Sequence, residues 1–186
     1  MSMFDVILAD PPWRYEQAVT GKEIEKHYPT MSIDEIKAMQ IEKVAAKNSV
    51  LFLWATAPKL AEAVEVMTAW GFLYRTCMVW HKSGMGMGWY WRIDHELLLL
   101  GVRGKPGTPP PKFRPRSVLK SKKGKHSQKP WQVYEMIEAM YPNARRLELF
   151  CRHSQPGWSS WGNEATENLF SGPILCLDDI DRRSES

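Results

Sequence analysis

The stretch that decides the fold is Phe4-Asp5-Val6-Ile7-Leu8-Ala9-Asp10-Pro11-Pro12-Trp13. Residues 6–10 form an apolar run that ends in a carboxylate, and such a run predicts a strand covered on both faces, as in a parallel sheet. The two prolines restrict their own backbone and that of the preceding residue, so they predict a stiff turn directly after the strand. Because open α/β sheets bind ligands at the carboxyl ends of their strands, this turn is a candidate binding site.

A turn of this kind could activate an amine on a planar base. The exocyclic amine of a nucleobase is a poor nucleophile, because its lone pair is conjugated into the ring. The Asp10 carboxylate and the Pro11 carbonyl can each accept a hydrogen bond from one of its two N–H groups. Orientation and fixed electrostatics then free the lone pair. Trp13 can stack on a base that has left its helix. The alternative is a plain strand-to-loop turn with a tryptophan on the surface.

Composition indicates a single intracellular domain. The chain has 186 residues, of which 44% are hydrophobic and 25% charged, as in ordinary globular proteins. Its longest apolar run, about 97–102, is too short to span a membrane, and we expect no signal peptide and a cytoplasmic location. Cys77, Cys151 and Cys176 form no Cys-x-x-Cys pair, which argues against a zinc site and a disulfide scaffold. We therefore expect no metal.

Positive charge is concentrated in one segment. The net charge is +4, but Arg103 to Lys129 contains ten Lys or Arg residues and no Asp or Glu. Such a segment on a weakly acidic body predicts a polyanionic partner, here nucleic acid. A solvated loop without a partner is the alternative. The candidate phosphate contacts in its second half are Lys120, Lys122, Lys123 and Lys125.

Strand and helix patterns alternate along the chain, which predicts an α/β fold with a mostly parallel central sheet and helices on both faces. No glycine fingerprint follows the first strand, and this argues against a nicotinamide dinucleotide site. Glu96 opens a later strand beside the site and is a candidate buried carboxylate. We expect one domain over 1–170, with mobile loops at about 14–30, 82–93 and 103–129, and a polar tail over 171–186.

Several motifs together resemble one known family. Asp10-Pro11-Pro12-Trp13 resembles the signature of the DPPW-type N6-adenine methyltransferases, which include the eukaryotic mRNA adenosine methyltransferase and bacterial and phage DNA methyltransferases. The family's other motifs follow in order, over Asp5 to Glu164: Tyr28-Pro29-Thr30-Met31-Ser32, His126-Ser127-Gln128-Lys129-Pro130, Leu147-Glu148-Leu149-Phe150-Cys151-Arg152, Gln155-Pro156-x-Trp158 and Gly162-Asn163-Glu164. Within the wider group of amino-methyltransferases, tryptophan as the aromatic residue points to adenine.

The resemblance implies a Rossmann-like fold that uses S-adenosylmethionine and is circularly permuted, with the catalytic motif first and the cofactor motif last. It implies direct in-line methylation of the N6 amine of a flipped adenine. The implied catalytic residues are Asp10, Pro11, Pro12 and Trp13, and Tyr28 is an implied substrate contact. Glu96 and the four lysines are the further candidate substrate contacts, predicted above from their position and charge. The implied cofactor-binding residues are Asp10, Lys129, Glu148, Phe150, Arg152, Asn163 and Glu164.

Other functions remain open at this point. DNA is favoured over RNA because the compact chain resembles the bacterial and phage members, but an RNA adenine methyltransferase is an alternative. A catalytically silent nucleic-acid-binding subunit is another, although such partners tend to lose the Asp-Pro-Pro-Trp turn or the donor-binding residues. A third is an amino-methyltransferase acting on cytosine or a protein amide. The sequence is also compatible with a homodimer.

Overall fold

The computed structural model describes residues 3–15, 30–84, 86, 88, 90–122, 124, 128–151 and 154–161. No helix in these ranges combines the length and the apolar character needed to cross a membrane. Three α-helices are described: α1 (Ile33–Lys37), α2 (Leu60–Ala69) and α3 (Gln132–Met140). The described strands are β1 (Phe4–Ala9), β2 (Ala45–Ala55), β3 (Leu73–Lys82), β4 (His95–Arg103), β5 (Val118–Ser121), β6 (Arg146–Leu149) and β7 (Ser159–Trp161).

The strands form one sheet in the order β5-β3-β4-β2-β1-β6-β7. Strand β4 runs antiparallel to β2 and β3, and the other described pairings are parallel. The predicted mostly parallel α/β sheet is therefore confirmed, whereas the circular permutation stays a prediction. Because β4 is reversed, its first residues lie at the same edge as the carboxyl ends of β1, β2, β3 and β6.

Strand β1 is buried on both faces, as its apolar run predicted. Ile7 and Ala9 pack into a core with residues of α1 and α2, including Ile36 and Met67. Val6 and Leu8, on the other face of the sheet, pack in a second core that contains Val133 and Ile137 of α3. The prediction of helices on both faces is confirmed.

Helix α1 begins with side-chain hydrogen bonds that its local sequence provides. The Ser32 hydroxyl accepts a hydrogen bond from the Glu35 backbone N–H, and the Glu35 carboxylate accepts one from the Ser32 N–H at 2.6 Å. This reciprocal pairing is a capping box, and it satisfies N–H groups that a helix start leaves free. The indole N–H of Trp70, after α2, donates to the Ile36 carbonyl at 2.8 Å and ties the two helices together.

The prediction of one continuous loop over 103–129 is wrong for Val118–Ser121. These residues form β5, which pairs in parallel with the end of β3, and the Trp80 indole N–H donates to the Ser121 hydroxyl at 2.8 Å. The strand is only four residues long and lies among lysines and prolines, so its pattern resembles a loop. A lysine on a short edge strand, here Lys120, is a common protection against pairing with another chain.

Candidate active site

The candidate site lies at the sheet edge where β1 ends and β4 begins. Asp10 follows the last residue of β1, and Glu96 is the second residue of β4. Strand β2 lies between them, and its last residue, Ala55, pairs with Leu97. The predicted position of the site, at the carboxyl ends of the parallel strands, thus gathers two acids that are far apart in the sequence.

Backbone hydrogen bonds hold the turn after β1. The Pro11 carbonyl accepts from the Trp13 N–H at 2.9 Å, and the Pro12 carbonyl accepts from the Met31 N–H at 2.8 Å. A carbonyl oxygen has two lone pairs, so Pro11 keeps one acceptor position for another donor. The turn is therefore stiff, but its carbonyls are already engaged within the protein.

Trp13 is part of the core and not a ring on the surface. Its side chain is 8% exposed, and its indole N–H donates to the Trp54 carbonyl at 3.2 Å. The alternative of a surface tryptophan is therefore wrong. A ring buried to this extent can offer a base a fixed wall, but it is not a free stacking platform.

Lys129 joins the two acids. Its ammonium lies 2.7 Å from both carboxylate oxygens of Asp10 and 3.4 Å from Glu96 Oε2. Glu96 also binds the Lys82 ammonium at 2.9 Å. The four side chains therefore form a row of alternating charge in the order Lys82, Glu96, Lys129 and Asp10. The family resemblance assigned Lys129 to cofactor binding, and in this structure its ammonium is the counterion of Asp10.

The row of charges stabilises the charged form of its buried members. Burial opposes the charge of Lys129, but the carboxylates of Asp10 and Glu96 outweigh it and raise the pKa of Lys129. Burial likewise opposes the charge of Glu96, but Lys129 and Lys82 outweigh it and lower the pKa of Glu96. Both groups therefore stay charged at neutral pH.

Two tryptophans that the sequence analysis did not single out support these lysines. The Lys129 ammonium lies 5.5 Å from the centre of the Trp54 ring, and that of Lys82 lies 5.7 Å from the Trp80 ring. The two rings meet edge to face at 5.9 Å. A cation over an aromatic face is attracted by the ring quadrupole, so the pair fixes both ammonium groups. The only sequence signal was a tryptophan near the end of each strand.

Glu148, on β6, is a second buried acid at this end of the sheet. Its side chain accepts a hydrogen bond from the Tyr134 hydroxyl at 2.7 Å through Oε1, while Oε2 is buried and has no partner in the described part of the chain. Burial, with a contribution from the charge of Asp10, raises the pKa of Glu148 to about 7. An unpartnered buried acceptor is costly unless a ligand satisfies it.

Phe150, immediately after β6, has an unusual backbone. Its φ is 63°, in the left-handed region that residues other than glycine seldom adopt. Its ring packs edge to face on Trp161 at 5.6 Å. Strained positions of this type concentrate at ligand sites, which supports the prediction that Phe150 lies beside a cofactor.

Tyr15 is a residue at this edge that the sequence analysis missed. Its hydroxyl shares a 2.6 Å hydrogen bond with the Thr56 hydroxyl, and the Lys59 ammonium lies 5.4 Å from its ring centre. Burial raises the pKa of Tyr15; the charge of Glu96 adds to the rise and that of Lys129 opposes it. Its only sequence signal was an aromatic residue two positions after the turn.

The predicted site residues therefore divide into three groups. The first lies at one end of the sheet and contains Asp10–Trp13, Glu96, Lys129, Glu148 and Phe150. The second contains Lys120, which lies on β5, and Lys122, which follows that strand. The third lies outside the described residues and consists of Tyr28, Lys123, Lys125, Arg152, Asn163 and Glu164.

Glu148→Gln should remove a dependence of stability on pH. The pKa of Glu148 is about 7 in the folded protein against an ordinary 4.5, so the folded state holds this proton more tightly. Its stabilisation is complete below about pH 4.5 and is lost as the pH rises through 7, with an upper limit of roughly 3 kcal/mol. We expect the wild type to lose stability between pH 5 and 8 and the variant to lose less.

Urea unfolding at pH 5 and at pH 8 measures this difference in stability. Glu135→Gln, on an exposed position of the same region, is the matched control and should behave as the wild type does. Equal pH dependence in Glu148→Gln and the wild type would contradict the assignment.

Comparison with known proteins identifies the family of the chain. The chain matches the family model described as MT-A70 over residues 4–164. It is 31% identical, over 189 residues, to the Type II methyltransferase M.MunI of a Mycoplasma species, and the match covers 91% of this chain and 81% of that protein.

Two eukaryotic relatives match over a smaller share of their length. The human N(6)-adenosine-methyltransferase catalytic subunit METTL3 is 30% identical over 178 residues, which cover 88% of this chain and 28% of METTL3. The Arabidopsis thaliana N(6)-adenosine-methyltransferase MT-A70-like protein is 29% identical over 175 residues, which cover 88% of this chain and 24% of that protein. The comparisons give no support for a homodimer. The family resemblance inferred from the Asp10–Trp13 motif is confirmed, and the chain belongs to the MT-A70 family of methyltransferases.

Proposed function

We propose that the protein transfers a methyl group from S-adenosylmethionine to the N6 amine of adenine in nucleic acid, with DNA as the substrate. The observation that carries the proposal is Asp10, which directly follows β1 and is held by Lys129 at 2.7 Å within a match to the MT-A70 family. DNA is preferred to RNA as the substrate because the chain resembles the bacterial Type II methyltransferase M.MunI over most of that protein's length. The match to METTL3 covers only 28% of METTL3.

The described residues fit a cationic methyl donor. S-adenosylmethionine supplies an electrophilic methyl group on a positively charged sulfur, and it also carries an ammonium group. Glu148 offers a buried oxygen without a partner in the described chain, and the Asp10 side chain is 39% exposed beside it. Phe150 adds an aromatic surface. We assign Glu148 and Phe150 to the donor, with Arg152, Asn163 and Glu164 as further predicted contacts.

Asp10 prepares the acceptor amine. Its carboxylate accepts one N–H of the adenine amine, and the second lone pair of the Pro11 carbonyl accepts the other, which frees the nitrogen lone pair. When bound, S-adenosylmethionine would supply an electrophilic methyl carbon in line with this nitrogen, and its S–C bond would break as the N–C bond forms. The surplus proton leaves the nitrogen for Asp10 or solvent. Lys129 orients the Asp10 carboxylate throughout.

Transfer of a labelled methyl group to duplex DNA, single-stranded DNA and RNA tests this function. Nuclease digestion and mass spectrometry then identify the modified base. The proposal expects N6-methyladenine in DNA. Methylation of RNA alone would support the RNA alternative, and methylated cytosine or a methylated protein would contradict the proposal. Binding to DNA without transfer to any substrate would identify a silent subunit.

Replacing Lys120, Lys122, Lys123 and Lys125 with Ala should weaken the salt dependence of DNA binding. Lys120 lies opposite His81 of β3 in the parallel pairing of β5 with β3. Strand β5 therefore brings the second half of the basic segment to the same end of the sheet as the site. Each phosphate contact adds about 0.9 to the slope of log affinity against log salt, so four lost contacts should lower it by roughly 3 to 4. Fluorescence anisotropy with labelled duplex DNA measures the slope.

The matched control for this experiment uses lysines at the opposite end of the strands from the site. Lys43 precedes β2 and Lys47 lies near its start, and both side chains are exposed. Replacing these two lysines with Ala should leave the slope nearly unchanged. An equal slope in the fourfold variant and the wild type would show that the basic segment does not contact DNA.

A further inference from the structure

The connection between β3 and β4 exposes two large aromatic side chains. Tyr90 is 95% exposed and Trp91 is 82% exposed. Neighbouring apolar rings exposed to this extent mark a binding surface on a soluble protein. Neither residue has a role in the methyl transfer described above, so the function of this connection needs a separate explanation.

The connection folds back on itself as a hairpin, which we call the aromatic hairpin (described residues of 82–94). The Lys82 N–H donates to the Asp94 carbonyl at 2.7 Å and closes its base. Further out, a Cβ on Gly86 would clash with the Ile93 carbonyl oxygen, and one on Gly88 would clash with that of Trp91. Glycine is required where the two arms pass this closely. The glycines therefore place Tyr90 and Trp91 at the tip.

The aromatic hairpin leaves the sheet beside the active site. Its first residue, Lys82, and the start of β4 are joined by the 2.9 Å ion pair between Lys82 and Glu96. Glu96 in turn lies 3.4 Å from Lys129, the counterion of Asp10. The base of the hairpin is thus connected through Glu96 and Lys129 to Asp10, which binds the acceptor amine in the proposed function.

The surroundings of the hairpin favour a polyanion. The Ser83 N–H donates to the Ser121 carbonyl at the end of β5, which joins the hairpin to the basic segment next to Lys122. The acids at the hairpin's base already have cationic or histidine partners, since Asp94 lies 3.3 Å from His81 and Glu96 binds Lys82. An acidic backbone, as in DNA, complements such a surface.

We propose that the aromatic hairpin is a wedge for duplex DNA, in which Trp91, with Tyr90 beside it, fills the gap that the extruded adenine leaves. This inference rests on the proposed function and adds how the base is brought out. Extruding a base breaks its stacking, and aromatic or apolar side chains inserted between base steps replace part of it. A gap of this kind exists in a duplex, so Trp91 matters much less on single strands.

Methylation of unmethylated plasmid DNA, as a duplex and after heat denaturation, tests the wedge. Trp91→Ala should lower kcat/KM about 10- to 100-fold on the duplex and change it little on the denatured strands. Trp91→Phe retains a stacking ring and should restore most of the duplex activity. Tyr74→Ala, which removes a ring 38% exposed at the opposite end of β3, is the matched control and should act as the wild type does.

A second measurement does not depend on methyl transfer. Closed circular plasmid relaxed by a topoisomerase in the presence of the protein should show unwinding with the wild type and Trp91→Phe, and much less with Trp91→Ala. If the wild type methylates no DNA but unwinds it through Trp91, the proposed function fails and the wedge stands.

Two other results would overturn the wedge. The first is an equal duplex-to-single-strand ratio of kcat/KM in Trp91→Ala and the wild type, which leaves the proposed function standing. The second is a loss of oligomer mass in Trp91→Ala, measured by light scattering, because the hairpin would then serve a protein partner.

Discussion

Asp10→Ala should abolish methyl transfer, with a fall in kcat on the order of 10³-fold or more. The substitution removes the acceptor that polarises the amine and also one carboxylate of the row that holds Lys129. Loss of a single positioned group of this type costs about 10²- to 10³-fold in other enzymes, and here the loss of amine orientation adds to it. Labelled-methyl transfer under single-turnover conditions measures the effect.

Asp10→Asn separates shape from charge. The amide keeps the size of the side chain and one acceptor oxygen, but it loses the negative charge next to Lys129. We expect it to retain more activity than Asp10→Ala and far less than the wild type. If Asp10→Ala retained a tenth of the wild-type kcat, the proposed role of the carboxylate would be wrong.

Asp5 provides the matched control on the same strand. It lies at the opposite end of β1 and also pairs with a cation, Arg145, at 3.2 Å. Asp5→Ala removes a carboxylate and an ion pair of β1 without touching the site. We expect unchanged kcat, together with a small loss of stability, of about 1 kcal/mol or less, because the pair is largely exposed. Circular dichroism should show the native fold in all three variants.

The sequence indicated β1 and its turn because their signals are local. An apolar run that ends in an acid and two prolines restricts the backbone whatever surrounds it. The same holds for the capping box at Ser32, which a four-residue pattern defines. The two-sided burial of β1 also follows locally, since a strand without polar alternation leaves neither face for water.

The contacts within the site could not be predicted in this way. The pair between Asp10 and Lys129 joins residues 119 positions apart, so no local pattern encodes it. The family resemblance pointed to both residues but assigned Lys129 to the cofactor. Trp13 shows the same limit: the sequence marked it as important, but only the fold shows that its indole N–H is bound to the Trp54 carbonyl.

Lys129→Met should reduce both activity and stability, because it leaves two acids without the cation that joins them. Asp10 and Glu96 would lose their shared partner, and burial would then oppose the charge of Glu96 with only Lys82 left to support it. Breaking a fully buried pair costs about 3–5 kcal/mol. We expect about 2 kcal/mol here, because the Asp10 side chain is 39% exposed.

The pH dependence of this variant gives the sharper test. In the wild type, Lys129 lowers the pKa of Glu96, so the carboxylate stays charged as the pH falls. Without Lys129 the pKa of Glu96 should rise, as should the pH at which kcat/KM begins to fall on the acid side. The stability loss should also shrink in acid, because protonation removes the uncompensated charge.

Lys37→Met is the matched control for this experiment. Lys37 also contacts two acids, at 3.8 Å from Asp34 and 3.3 Å from Glu65, but on the exposed surface of α1 and α2. Its loss should cost about 0.5 kcal/mol and leave the pH profile of kcat/KM unchanged. If Lys129→Met kept the wild-type acid limb while losing affinity for the methyl donor, Lys129 would bind the donor and the counterion role would be wrong. A raised acid limb in Lys129→Met alone would instead show that the ammonium holds Glu96 in its charged form, beside the Asp10 carboxylate that accepts a hydrogen bond from the adenine amine.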